Sequence, residues 1–505
     1  KLFIMLISKS DKMKRALLQE NENISTPESQ GISSNAIIEL VNEFEQRDYQ
    51  VTSFMLLRNG HRIAEFCKPP YDIKSLQLWF SVTKSFTGIS IGIACDKGLL
   101  TLDDIVISFF QDKLPMNISD NLAKMRVRHL LSMTSGIHDN TYELLYSQND
   151  WVKAFLAQDF PHEPGTYYRY STHSSHMLAA IVERVTGKSF YDFVKVNLFK
   201  PLEICESTWE NDSQGITAGG MGLGLTIESV AKFAQMILNK GVYNGKRIVS
   251  EEYLSSAMKK QTNNREQEKG EHTNGHGFHM QIDNEGSVFH DGMFGQLWYA
   301  CPKKNIVVVL TSRRIRTHTD EVIDLIQEKL VKSSSDDALP LSDGYEWMKN
   351  TLSSLKYPIP AFRDIPQNYP FLDGRFYLLS NNPHGLESIQ FWQEKKDQLR
   401  IQMKYADRSD SFINTCFKEP VHGKDIFVKD IQFHKQKYIS YVAWRDERTL
   451  VLTIFYIETP YEVTYKLTFN GINIKLAFNM NVSLNLKNFE CDGISAHNRN
   501  QKNIS

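Results

Sequence analysis

The stretch from Ser81 to Leu100 constrains this chain more than any other. The spacing predicts a helix, and Phe86, Ile89, Ile91, Ile93 and Ala94 fall on every side of it rather than along one stripe. A helix that is apolar all round has no face to give to water, so it runs through the interior of a domain. Gly98 supplies its C-terminal stop. The chain is long enough to bury such an element: 505 residues, 41% hydrophobic and 11% aromatic, which excludes intrinsic disorder for most of it. That length allows two to four domains.

The elements around this helix predict one α/β unit. Val51 to Leu57 and His61 to Cys67 flank Asn59-Gly60, a strong hairpin turn pair. A helical middle follows, with segments at Val127 to Met133, Ser175 to Val185 and Ile227 to Leu238, the last capped by Thr226. After Gly277 the period changes to short strands at Ser287 to Phe289, Gln296 to Ala300 and Ile306 to Thr311. Thr319 to Val331 closes the unit as a helix, with Asp320 and Glu321 in its favourable first turn. Strands at both ends of this order require a sheet assembled from both ends of the sequence.

The polar run from Lys332 to Asp337 is the expected linker, and the texture beyond it is β. Leu399, Ile401, Met403 and Tyr405 alternate with polar residues, and Tyr461 to Phe469 and Ile472 to Phe478 flank a second turn pair, Asn470-Gly471. The expected domains are a lead segment at 1–24, an α/β unit at 25–335 and a barrel-like or sandwich-like β domain at 336–505.

Charge and cysteine usage remove whole classes of function. Lys and Arg number 58 against 59 Asp and Glu, a balance that gives no basic surface for nucleic acid and no pull toward an anionic membrane. Six scattered cysteines, with no CxxC pair, support neither a zinc ribbon nor a disulfide scaffold. Leu2 to Ile7 is too short for a signal core or a membrane span. The expected compartment is the cytoplasm, the alternative being export with a targeting segment trimmed. Oligomeric state stays open.

Chemistry concentrates at Ser81-Val82-Thr83-Lys84. Residues three apart lie on one helix face, and a serine in the first turn has backbone N–H groups nearby that can stabilise an anion. A buried lysine loses part of its affinity for a proton through desolvation and can then take the proton of the serine. The pattern alone is weak, because Ser-x-x-Lys also begins at Ser229, Ser256 and Ser353. Two later stretches supply partners. Tyr170 follows the Pro164-Gly165 turn, where its phenol could shuttle a proton or be an ordinary half-buried tyrosine. His290 ends an expected strand two residues before Gly292, which would let a substrate approach the backbone, and it could equally be a solvated loop histidine.

Together these elements resemble the serine β-lactamase and penicillin-binding protein superfamily over about residues 25–331. Ser81-Val82-Thr83-Lys84 is similar to its nucleophile motif, Tyr170-Ser171-Thr172 to Tyr-x-Asn, and His290-Asp291-Gly292 to Lys/His-x-Gly. Val127 to Gly136 and Ala218 to Leu223 agree. Met133-Thr134-Ser135-Gly136 and Gly295-Gln296 resemble most the branch of esterases and 6-aminohexanoate-dimer hydrolases. The resemblance implies Ser81 as acylated nucleophile, Lys84 as its base and Tyr170 as proton relay. It implies an oxyanion hole from the N–H groups of Ser81 and Met293, with Thr172, His290, Gly292 and Met293 facing substrate, and no metal or organic cofactor. The implied substrate is a small molecule or a short peptide-like one.

Two departures matter. Thr172 stands where the family often has Asn, and His290 where many lactamases have Lys, so both shift the expectation from lactams toward esters or amides. A silent penicillin-recognising or peptidoglycan-binding protein of the same fold is the alternative, although Ser81, Lys84 and Tyr170 are all present. A metal reading through His272, His276 and His279, or through His173 and His176, finds no nearby carboxylate or cysteine to complete a signature.

Overall fold

The computed structural model describes residues 23–262, 275–315 and 318–496. The apolar run Leu2 to Ile7, most of the lead segment and His272 lie outside the described residues. The described residues form two compact units. One holds the chain up to Cys67, Trp79–Ser312 and the stretch ending at Leu355; the other holds Lys68–Leu78, Arg313–Ile315 and the chain from Lys356 onward. No described helix is long and apolar enough to cross a membrane.

The first unit is a β-lactamase/transpeptidase-like α/β sandwich built on an antiparallel sheet. Its strands are β1 (Val51–Arg58), β2 (His61–Cys67), β3 (Gln281–Ile282), β4 (Val288–Gly292), β5 (Gln296–Cys301) and β6 (Ile306–Ser312). They lie in the order β2-β1-β6-β5-β4-β3, so the early hairpin pairs with the last strand and the sheet closes from both ends of the sequence. The β1–β2 turn places Asn59 at φ 53° and Gly60 at φ 81°, the left-handed pair that a two-residue hairpin demands.

Strand alternation then sorts the two faces. Phe289, Leu297, Tyr299, Val308 and Leu310 point into a core shared with α1 (Ser34–Gln46), in which Ile37, Val41 and Phe44 are fully buried. Their alternates, Trp298 among them, face the opposite layer. That layer contains α2 (Thr83–Asp96), α3 (Val127–Leu131), α4 (Thr172–Thr186) and α5 (Ile227–Leu238). Phe233 of α5 stacks on Phe86 of α2 at 3.9 Å and meets Trp298 edge-on at 5.8 Å. Every residue of α2 from Thr83 to Ala94 is buried, as its all-round apolar pattern requires. α6 (Thr319–Ile326) continues through a π turn to Val331 and packs on the α1 side, as does α7 (Gly344–Ser354) through Met348 and Leu352.

The second unit is a ten-stranded, nearly closed antiparallel barrel. Its strands are β7 (Phe376–Leu379), β8 (Leu386–Lys395), β9 (Gln398–Tyr405), β10 (Ser411–Cys416), β11 (Val421–Val428), β12 (Phe433–Trp444), β13 (Thr449–Phe455), β14 (Glu462–Asn470), β15 (Asn473–Met480) and β16 (Phe489–Ser495). The order is β10-β9-β8-β7-β16-β15-β14-β13-β12-β11. In β9 the apolar alternates Leu399, Ile401, Met403 and Tyr405 point inward. Side chains bridge the seam between the edge strands β10 and β11. Ser411 Oγ of β10 donates to Asp425 Oδ2 of β11 at 2.8 Å, and Ser440 Oγ of β12, the strand beside β11, donates to the Asn414 carbonyl of β10 at 2.7 Å.

Candidate active site

Ser81 lies in a 3₁₀ turn, Phe80–Val82, immediately ahead of α2 rather than in the helix itself. Phe80 enters that turn at φ 45°. A left-handed conformation costs a non-glycine residue about 1–2 kcal/mol. Packing holds it there: Phe80 is buried and meets Phe294 edge-on at 5.2 Å. The strained turn leaves Ser81 half-exposed while Lys84, one turn on, is completely buried.

Lys84 Nζ donates to Ser81 Oγ at 3.0 Å and to the Gly220 carbonyl at 2.8 Å, and stands 4.9 Å from the centroid of the Tyr170 ring. The Gly220 carbonyl can reach it because Gly219 and Gly220 thread between α2 and α4. A Cβ on Gly219 would fall 2.3 Å from the Ser175 carbonyl oxygen, and one on Gly220 would fall 2.7 Å from Thr172 Cγ2. Thr87 Oγ1 of α2 donates to the Gly219 carbonyl at 2.6 Å and secures the same strip.

Tyr170 comes from a loop clamped to the end of α3. Arg169 N donates to the Met133 carbonyl at 2.9 Å and Gly165 N to the Thr134 carbonyl at 2.9 Å. Ser171 then caps α4 by accepting from Ser174 N at 3.1 Å, and Thr172 is the first residue of that helix, three earlier than its apolar spacing indicates. The Tyr170 and His290 ring centroids are 6.4 Å apart. His290 sits within β4, paired with Trp298 of β5, and alternates away from the core to which Phe289 points. Gly292 ends β4 where a Cβ would lie 2.6 Å from the Trp79 carbonyl oxygen, so only glycine admits the serine turn this closely. Met293 follows at the tip, 42% exposed.

Burial disfavours the charged form of four imidazoles around this group, His173, His276, His279 and His290. Burial, reinforced by the Lys84 charge, pushes His290 down to about 3. Burial does the same to His276 and His173, each to about 3, and holds His279 well below its ordinary value. His276 and His279, which the spacing offered as metal candidates, are fully buried on the Lys84 side of the sheet, and His279 Nδ1 lies 2.9 Å from the Leu131 carbonyl oxygen. His176 Nε2 lies 3.1 Å from Asp212 Oδ2. Among the described residues no group of three or more His, Cys, Asp or Glu side chains could hold a metal ion.

The spacing of Ser81 and Lys84 was readable in sequence. Three other contributors were not: the Gly220 carbonyl, the left-handed Phe80, and the 133–136 stretch that anchors the Tyr170 loop. The glycine pair and the Met-Thr-Ser-Gly run were their only local signals.

The fold is that of the β-lactamase/transpeptidase class. The chain belongs to the Beta-lactamase family, whose model matches residues 38–332. Protein flp of Staphylococcus aureus (strain MW2) is 30% identical over 136 residues, a match spanning 26% of this chain and 27% of that protein. EstCE1, described as a hydrolase with promiscuous acyltransferase activity, superposes with a TM-score of 0.51 at 16% identity, covering 59% of this chain and 99% of its own. A penicillin-binding protein homologue from Pyrococcus abyssi covers 90% of this chain and 99% of its own at 16% identity and a TM-score of 0.49.

Proposed function

We propose that this chain is a serine hydrolase of esters and amides that works through a Ser-Lys-Tyr acyl-enzyme. The observation that carries the reading is the buried Lys84 Nζ, 3.0 Å from Ser81 Oγ and 4.9 Å from the Tyr170 ring centroid. With Lys84 in its neutral amine form, Ser81 Oγ attacks the substrate carbonyl and its proton passes to Lys84 Nζ, which becomes the ammonium. The N–H groups of Ser81 and Met293 receive the developing oxyanion. Tyr170 relays the proton to the leaving group, and in the second half it deprotonates the water that releases the acyl group from Ser81. Thr172, His290, Gly292 and Met293 border the bound substrate.

The electrostatics favour neutral substrates. Lys84 and His290 compete for positive charge, and His290 stays neutral. A substrate carboxylate therefore finds no fixed cation at His290, where a lysine would offer one, and neutral esters or amides fit better than lactams or peptides bearing a free carboxylate.

The test is incubation with a fluorophosphonate, a fluorescent penicillin and p-nitrophenyl esters, beside Ser81→Ala. Intact mass shows one fluorophosphonate adduct on the wild type and none on the variant, with ester turnover exceeding penicillin turnover. Labelling that persists in Ser81→Ala removes the nucleophile assignment. Absence of both adduct and turnover in the wild type favours a silent, ligand-recognising protein of the same fold.

A further inference from the structure

Two histidines outside this machinery face each other across the ribbon that carries Tyr170. His138 Nδ1 and His162 Nε2 are 2.8 Å apart although the residues are 24 positions apart in the chain. The backbone brings them together. His162 N donates to the Gly136 carbonyl at 3.1 Å, and Gly136, at φ 100°, runs so close that a Cβ there would fall 2.4 Å from the His162 carbonyl oxygen.

Both rings are also held in orientation. The Tyr167 ring stacks on His162 at 3.9 Å with an interplanar angle of 10°, and on His138 at 5.3 Å and 21°. Arg169 Nε donates to the His138 carbonyl at 2.6 Å. His138 is exposed, so solvent and solutes reach the pair.

We propose that His138 and His162 form a two-imidazole binding site for a borderline divalent transition-metal ion, Zn²⁺, Ni²⁺ or Cu²⁺. In the pair as it stands one ring N–H donates to the lone pair of the other. Moving that proton to the far nitrogen of its own ring frees both facing lone pairs, and a neutral pair releases no proton in doing so. A metal bonded to both nitrogens at about 2.0–2.1 Å needs them to separate by only about 0.5 Å. Solvent completes the coordination. Asp139 and Glu163, the exposed residues that follow the two histidines, add negative charge, whereas Arg169 opposes any cation. The balance selects ions that bond to imidazole nitrogen over Mg²⁺ or Ca²⁺.

The proposal is independent of the hydrolase reading and its primary test does not use activity. Tag-free protein is titrated calorimetrically with Zn²⁺ and with Ni²⁺, and Cu²⁺-loaded protein is read by electron paramagnetic resonance for nitrogen hyperfine structure. The wild type shows one site that His138→Ala or His162→Ala weakens at least tenfold, while Mg²⁺ does not compete. Melting curves of the metal-free variants confirm that both remain folded, and His162→Gln, which keeps a polar side chain but not the ligand, serves as the second variant. No binding by the wild type, or equal binding by the wild type and the double alanine variant, overturns the proposal.

Discussion

Two buried polar groups, Asp425 in the barrel and Lys84 in the α/β unit, are served in opposite ways. In the barrel the buried Asp425 is closed off by donors: Ser411 Oγ at 2.8 Å and Tyr456 OH at 2.9 Å, with Tyr456 stacked on Phe427 at 4.2 Å. In the α/β unit the buried Lys84 reaches outward to a half-exposed serine, and His290 Nε2 and both ring nitrogens of His276 have no hydrogen-bonding partner among the described residues. A satisfied buried network holds a seam shut. An incompletely satisfied one, grouped around an accessible hydroxyl, leaves capacity for a substrate and for proton movement.

Substitutions sharpen that contrast. The largest effect is expected for Lys84→Ala and Ser81→Ala, each lowering kcat on p-nitrophenyl esters by about 10⁴-fold or more, because residues that act as one unit fail together. Steady-state assays of both variants and of the double variant, which should be little worse than either single, check this. Asp425→Ala strands two buried hydroxyl donors and is expected to cost about 2–3 kcal/mol. Urea unfolding reads that loss, and the fluorophosphonate labelling rate per folded molecule stays unchanged. If labelling falls as well, the contrast between a structural and a reactive network breaks.

Gly292→Ala pushes a Cβ to within 2.6 Å of the Trp79 carbonyl oxygen. The expected cost is about 1–3 kcal/mol of overpacking, read as a lower melting temperature together with slower Ser81 labelling. Acid tests the same contrast. His173, His276, His279 and His290 all have folded-state affinities for protons below the unfolded value of about 6.5. Their stabilisation is therefore complete above that pH and is lost progressively as pH falls below it. Asp425, raised by burial, has the opposite sign: its contribution is favourable at low pH and is lost as pH rises through its folded value. Melting curves followed from pH 7 to pH 4.5, with probes in each unit, should show the α/β unit weakening first. Asp291, also raised by burial, offsets part of that loss.

Local periodicity explains which features could be read in advance. The all-round apolar pattern of 83–94, the turn pairs Asn59-Gly60 and Asn470-Gly471, and the alternation in β9 are properties of a few consecutive residues. The N-cap Thr226 is likewise settled within one turn, by acceptance from Ser229 N. Histidine spacing carried little information, because the partners of a histidine are not a local property. His276 and His279 are close in sequence yet serve as buried neutral rings. His176 finds its carboxylate in the distant Asp212, and the facing pair His138 and His162 shares no motif at all. The helix after Tyr170 begins at Thr172 rather than near Ser175 because the Ser171 cap, not the first apolar residue, starts it.

Ser81 and Lys84 were joined by the sequence alone, because three positions span about one helical turn wherever the helix is placed. The inward face of each barrel strand and the burial of α2 were likewise properties of residue order. Only the tertiary structure decided that the Gly220 carbonyl, 136 positions away, accepts from Lys84, that Phe80 is held left-handed beneath Phe294, and that Tyr170 arrives over the ammonium group. These contacts join segments whose separation along the chain carries no periodic signal. They exist because packing leaves one arrangement in which the buried groups meet.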